Sequence, residues 1–465
     1  MRPAVRLVAW WCALGVPMIV GTLGCSSPAP EAGPLKISSG LLPAATTSAA
    51  AAILAAARVQ TYLDSIYKLT DVSYSFTTQF GETIDCIPFT AEPGVKSLGA
   101  KGIKVTPPTP PVMPFGGATT PGTGAFAGVA FDGTADEDGN ARRCPSMTVP
   151  HVRLTADRIA RVGGLDAFQA AVASKRAPGR GALPPDPGET NGFLHVYGEY
   201  QQELTGGAAV FSLFNPNLPG VFTNAHSIAQ TWTTDATSTQ TVEIGWNVDY
   251  NLYGDSQTHL FINATNDGYV TTGCYNNMPS TTTRTCLAFV PVVGGSFTPG
   301  MVLPHGSPGA PTSGQYEVRF GTLLAPIGWW IAIGQSQQYP LGAYWYTNYS
   351  GEMQTDASIY EFGGEVSAPD EDTSYSALDG VWMGSGKCGE AGFLNASYVH
   401  DYEFADPNYN AQIQPSVPLT SEDDEPAPQR YDWSTTPAPG SSSWINYFYF
   451  GGTGSPGCTQ QSQPD

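Results

Sequence analysis

The chain predicts an all-β fold, an antiparallel sandwich or barrel, with a smaller α+β region ahead of it. Three observations carry this. Tyr 22, Phe 20 and Trp 10 supply the aromatic residues that pleated strands favour, while Gly 53 and Pro 40 supply many turns. Residues 193 to 412 run as one short apolar stretch after another: FLHVYGEY, AVFSLFN, QTVEIGWNV, HLFINAT, YEVRFGTLL, GWWIAIG and LGAYWYT. Within VEIGWNV, residues 242 to 248, Val242, Ile244, Trp246 and Val248 alternate with Glu243, Gly245 and Asn247, which is the period of a strand.

The elements follow in order. MRPAVRLVAWWCALGVPMIVGTLGC opens with Arg2 and Arg6, continues with an apolar run and ends in small residues, so residues 1–24 read as a secretory signal peptide. The T-L-G-C ending resembles a bacterial lipoprotein box, which makes Cys25 the expected lipidation site and residues 25–46 a tether. The expected location is therefore outside the cytoplasm, as a cell-envelope lipoprotein or a secreted protein. Ser48 to Lys68 predicts a helix with Val59, Tyr62, Leu63, Ile66 and Tyr67 on one face. Residues 72 to 90 alternate like strands, and a second helix is expected from Asp157 to Val172, capped by Thr155 and interrupted at Gly163 and Gly164. Residues 47–175 form this α+β region. KRAPGRGALPPDPGETNG, at 175 to 192, has no apolar periodicity and carries Pro178, Pro184, Pro185 and Pro187. Residues 176–192 are thus the expected linker, exposed to proteolysis, and 193–465 the β-rich domain.

Charge and cysteine usage narrow the partners. The 20 Lys+Arg stand against 40 Asp+Glu, a formal charge of −20. So acidic a chain lacks the basic footprint of a nucleic-acid binder. Beyond Cys12 and Cys25, six cysteines remain, an even number that in an exported protein reads as disulfides. Proximity along the chain suggests Cys86–Cys144, Cys274–Cys286 and Cys388–Cys458.

Several chemistries are absent from the sequence. There is no G-x-S-x-G elbow and no H-E-x-x-H, GSGK at 384–387 lacks the rest of a P-loop, and no cofactor or metal motif appears. The six histidines are scattered and read as structural or surface residues. Carboxylates remain. Glu243 sits mid-strand beside Gly245, and in EFGGEV Glu365 shares a face with Gly363. Two carboxyls that share a site do not both ionise easily, so one can activate water while the other donates a proton. The plain alternative is that each Glu points to solvent, as charged strand residues commonly do.

VEIGWNVDYNLYGDSQTHLFINATNDGYVTTGCYNN resembles the core of the neprosin family of glutamic peptidases. GQYEVRF, GWWIAIG, LGAYWY, FGGEV, WMGSG and FYFGG follow in the family's order, and together they cover most of residues 220 to 455. Upstream, GETIDCIPF and CPSMTVPHVRL resemble the family's activation region. The resemblance implies two antiparallel sheets of the concanavalin-like jelly-roll type with a cleft, catalytic glutamates at Glu243 and Glu365, and no cofactor. It also implies peptide substrates cut after proline in acid, and a pro-domain that covers the cleft until it is removed. Trp246, Asn247, Tyr269, Trp329, Trp330 and Tyr344 are the expected substrate-binding residues. The chain departs from plant members in a longer Cys274–Cys286 loop and in a Pro-rich insertion at 413–443, both placed to rim the cleft. Competing readings are a non-catalytic carbohydrate- or protein-binding sandwich and a two-carboxylate glycoside hydrolase.

Overall fold

The computed structural model describes residues 44–116, 142–173, 192–219, 225–279, 284–311, 314–334, 338–368, 374–423, 428–436 and 444–459. The expected signal peptide and Cys25 lie outside these residues, as do most of the tether and of the linker. Residues 1–52 and 53–465 are separate compact units, and the contacts below belong to the second.

The N-terminal region has helix α1 (Ala44–Ile66), strands β1 (Tyr74–Thr77) and β2 (Thr83–Pro88), helix α2 (Pro93–Ala100), strand β3 (Thr148–Val152), and helices α3 (Ala156–Arg161) and α4 (Leu165–Val172). The three strands form a small sheet in the order β1-β2-β3. The apolar stripe of α1 buries Tyr62 and Ile66, and Tyr67 just beyond the helix is buried too. Thr155 Oγ1 caps α3 by accepting from Arg158 N at 3.1 Å. The helix expected over 157–172 is two helices. Gly163 and Gly164, at φ 95° and 101°, adopt a backbone that side-chain-bearing residues avoid, and the chain restarts at Leu165.

The β-rich region contributes β4 (Phe193–Leu204), β5 (Gly206–Ser212), β6 (His226–Thr234), β7 (Thr241–Val248), α5 (Tyr250–Tyr253), β8 (His259–Thr265), β9 (Phe289–Pro291), β10 (Glu317–Ala325), β11 (Gly328–Ile333) and β12 (Tyr339–Trp345). It continues with β13 (Ala357–Ser367), β14 (Ser397–Ala405), β15 (Ala411–Ile413), β16 (Leu419–Ser421), β17 (Asp432–Ser434) and β18 (Tyr447–Gly451). One sheet has six strands in the order β16-β4-β13-β6-β7-β8. The other has nine, β17-β18-β14-β5-β10-β11-β12-β9 with β15 added on β14. The pairings are antiparallel and the sheets stack as a sandwich. Val242, Ile244, Trp246, Leu260, Ile262, Phe362 and Val366 of the first sheet pack against Phe211, Phe320, Leu324, Trp329, Ile331, Phe448 and Phe450 of the second. Period two then sends every second residue of the six-stranded sheet to its other face.

The disulfides are Cys86–Cys144, Cys274–Cys286 and Cys388–Cys458, the pairs that chain proximity suggests. No described helix is long and apolar enough to cross a membrane.

The N-terminal region docks beside β8. Phe168 and Val172 of α4 share an apolar cluster with Ile228, Phe261 and Tyr275. Arg158 donates to Leu252 O at 2.8 Å, Tyr62 Oη donates to Pro279 O at 2.7 Å, and Val302 N donates to Glu82 at 2.7 Å. Ala173 then bridges to Cys274.

Candidate active site

Register brings both glutamates to one face of the six-stranded sheet. On the central strand β6, Gln230 lies opposite Gly245 of β7 and Gly363 of β13. One step along, Glu243 pairs with Trp232. One step the other way, Glu365 pairs with Ile228 and, across its other edge, with His195 of β4. The glycines are spatial necessities: a Cβ at Gly245 would fall 2.4 Å from the Gln230 Cβ, and one at Gly363 would fall 2.1 Å from Val196 O. Glu243 and Glu365 are 3% and 4% exposed, so neither is a solvent-facing strand residue.

Glu365 is held from several sides. His226 Nε2 is 2.9 Å from Oε1, His195 Nε2 is 3.2 Å from Oε2, and Gln230 Nε2 donates to Oε2 at 3.1 Å. Behind His195, its Nδ1 meets Glu422 Oε2 at 2.5 Å. Burial alone would raise the Glu365 pKa. The hydrogen bonds and charges of the two histidines outweigh it and hold this carboxyl well below the usual carboxylate range. Burial likewise pulls His195 down, but Glu422 and Glu365 override it and hold the imidazole up at about 10.

Glu243 sits in the opposite electrostatic state. Burial dominates and pushes it up to about 8; the Glu365 charge adds to the rise, and hydrogen bonds from Tyr269 and Gln230 restrain it. Tyr269 Oη donates to Glu243 Oε1, and Asn263 Nδ2 donates to the same oxygen at 3.3 Å. Tyr269 is delivered by a tight loop. Thr265 Oγ1 accepts from Tyr269 N at 2.9 Å, and the Asp267 carboxylate accepts from the amides of Val270, Thr271 and Thr272. Gln230, which donates to Glu365, thus stands between one carboxyl that stays ionised and one that stays protonated across a wide pH range.

The expected binding residues divide by parity. Tyr269 touches Glu243, and Asn247 lies on the dyad's face, fully buried, with neither amide atom hydrogen-bonded among the described residues. Trp246 does not line this face. It occupies the opposite parity and fills the inter-sheet core, where its Nε1 donates to Ser212 O at 3.0 Å. Trp329 and Tyr344 belong to the nine-stranded sheet and pack into the same core, Trp329 donating to Met353 O. Trp330, one residue out of phase with Trp329, is turned to that sheet's far face. Sequence reasoning missed Gln230, His195, His226, Trp232 and Glu422. The two histidines are neither scattered nor on the surface: they flank Glu365. Among the described residues, Cys388, Glu390 and Cys458 are close enough together to hold a metal, but their sulfurs are joined in a disulfide.

A family model described as Neprosin matches residues 223–453, which span both glutamates. The chain belongs to the neprosin family. Membership makes it a glutamic peptidase, with peptides as the class of substrate. Solved structures similar to this neprosin include SCP-B, a member of the Eqolisin family of peptidases, in a complex with the tripeptide Ala-Ile-His. It is 8% identical and covers 57% of this chain and 99% of its own, at a TM-score of 0.30. Scytalido-glutamic peptidase with a transition state analog inhibitor is 10% identical, with the same coverages and a TM-score of 0.31. Toad ovary galectin with thio-digalactose is 10% identical, covering 37% of this chain and 91% of its own at a TM-score of 0.19.

Proposed function

We propose that the chain is the precursor of an exported glutamic endopeptidase in which Glu365 is the base and Glu243 the acid. The carrying observation is the opposite tuning of two carboxyls that the register places on one face, on either side of Gln230. Ionised Glu365 takes a proton from water as the water oxygen attacks the scissile carbonyl carbon. Protonated Glu243 gives its proton to the carbonyl oxygen. When the C–N bond breaks, the amine leaves with the proton held by Glu365, and Glu243 recovers its own from the collapsing hydroxyl. Two carboxyls of different pKa support a rate only between those values. The rate therefore extends far into acid and falls as Glu243 ionises, at or below about pH 8.

Asn247 is suited to hydrogen-bonding a substrate backbone. Trp232, on the dyad's face with its ring near His195, is placed to stack on a substrate proline, a position that Trp246 does not occupy. Preference for proline rests on the family resemblance. Residues 47–175 act as the pro-domain, since the apolar cluster of their described part reaches Ile228 and Phe261 on the dyad's own face, and a cut within 176–192 frees the cleft. Cys25 anchors the mature protein to the cell envelope.

The test is digestion of a peptide library at pH 3 and pH 7 by the cleaved protein, beside Glu243→Gln and Glu365→Gln. Cleavage at pH 3 by wild type alone is expected, with cuts after proline. Equal cleavage by either variant would remove the dyad.

A further inference from the structure

The dyad reading needs one ionised carboxylate, and Glu365 is surrounded by more machinery than ionisation requires. We infer that His195 and His226 are positioning residues that clamp Glu365 as the ionised base, and that Glu422 anchors the clamp from the chain's own 413–443 insertion. This rests on the assignment of Glu365 and Glu243 as the reacting pair.

The geometry is a chain of contacts across four elements. His226 of β6 is fully buried and reaches Oε1, while His195 of β4 reaches Oε2. The two oxygens are thus taken by imidazoles from the strands on either side of β13, which fixes the plane of the carboxylate. His195 cannot turn away, because its second nitrogen is held by Glu422. Glu422 in turn is set by β16, which pairs with β4, and by its own amide, which donates to His195 O at 3.0 Å. The insertion therefore does more than rim the cleft. It adds an edge strand and delivers a carboxylate to the rear of the clamp.

The other groups facing Glu365 do not reproduce this. Gln230 from β6 donates without charge. Glu243 from β7 carries a like charge whenever it ionises, and Tyr269 and Tyr275, from the segment after β8, stay neutral phenols beside it. The positive charge facing Glu365 comes from the histidines. The device suits a protease that works in strong acid, where an unassisted carboxylate would be protonated and could not take a proton from water. The His195 imidazolium, held up at about 10, keeps its charge as pH falls, so the clamp persists under the conditions that threaten the base.

The test compares pH profiles of kcat/KM from pH 2 to 9 for the protein cut within 176–192, as wild type, His195→Gln, His226→Gln and Glu422→Gln. Glutamine keeps a donor and removes the charge. The acid limb is expected to move up by at least one pH unit in either histidine variant, so that kcat/KM at pH 3 falls about tenfold or more against its own value at pH 6. Glu422→Gln is expected to give a smaller shift in the same direction. An unmoved acid limb in both folded histidine variants overturns the clamp while leaving the dyad intact. Acid activity surviving in Glu365→Gln overturns the dyad itself. A measurement on the uncut chain needs no activity: carboxyl-carbon NMR of labelled glutamate, with Glu365 assigned by its loss in Glu365→Gln. Glu365 is expected to remain ionised at pH 3, and titration alongside ordinary glutamates near about 4.3 overturns the inference whether or not the variants fold.

Discussion

Tyr269→Phe tests the tuning of Glu243 from the other side. The hydroxyl donates to Glu243 Oε1 inside a buried site, and that bond favours the ionised form. A hydrogen bond to a charged group contributes about 1.5 to 3 kcal/mol. At about 1.4 kcal/mol per pKa unit, its loss raises Glu243 by about one to two units. Glu243 already stands at about 8, so the alkaline limb of kcat/KM should move up by that margin while the rate at pH 4 to 6 stays within a few-fold. The assay is hydrolysis of a proline-containing peptide across pH 3 to 10 by the protein cut within 176–192. Two results would refute the reasoning. An alkaline limb that stays put or moves down would mean that the phenol does not favour ionised Glu243. A loss of more than about a hundredfold at pH 5 would mean that Tyr269 acts on the reacting atoms instead of on Glu243.

Three further predictions follow from the same residues. Trp246→Phe removes an indole bond to Ser212 O in the core, so it should lower stability by about 1 to 2 kcal/mol in thermal unfolding and leave KM within twofold; a large rise in KM would return Trp246 to the substrate. Arg153→Ala strips Asp85, a fully buried carboxylate, of its cation, and should destabilise the N-terminal region by about 3 kcal/mol, the low end for a broken buried pair because Arg153 is itself one-third exposed; a loss under 1 kcal/mol in denaturant unfolding would contradict this. The third concerns release of the N-terminal region in acid. Burial opposes ionisation of Asp85, but hydrogen bonds from Arg153, Ser75 and Tyr67 prevail and hold it below its ordinary 3.8, so its stabilisation is present above that value and lost only as pH falls below it. Glu82, at the docking contact, is raised by burial, so proton uptake there favours the docked form. Limited proteolysis should therefore find the region intact at pH 5 and open below about pH 4, and opening already at pH 6 would defeat the argument.

The sandwich was legible because period two survives in almost every strand. Val242, Ile244, Trp246 and Val248 do share the core face, and Glu243, Gly245 and Asn247 do share the other. That same parity argues against Trp246 as a cleft residue, since it cannot leave the face of Ile244 and Val248. Tyr344 and Trp329 had no such internal check, because nothing in GWWIAIG or LGAYWYT says which side of the second sheet meets the first. The clamp was illegible for another reason. His195 and His226 lie 170 and 139 residues from Glu365, and only the order β4-β13-β6 brings them beside it. Gln230 was hidden in the same way, although Gly245, which makes room for it, was visible beside Glu243.

The three disulfides carry one more consequence. Cys86–Cys144 closes within the N-terminal region, and Cys274–Cys286 and Cys388–Cys458 close within the β-rich region. Among the described residues, no disulfide joins the N-terminal region to the β-rich region across the 176–192 linker. A cut there would leave two polypeptides held by Arg158, Tyr62, Glu82 and a shared apolar cluster, with no covalent bond between them. Their separation would then be an association equilibrium, which dilution drives forward and added fragment drives back. If the N-terminal region acts as the proposed pro-domain, the severed piece would be a diffusible inhibitor of its own enzyme, and specific activity would rise as the cut protein is diluted.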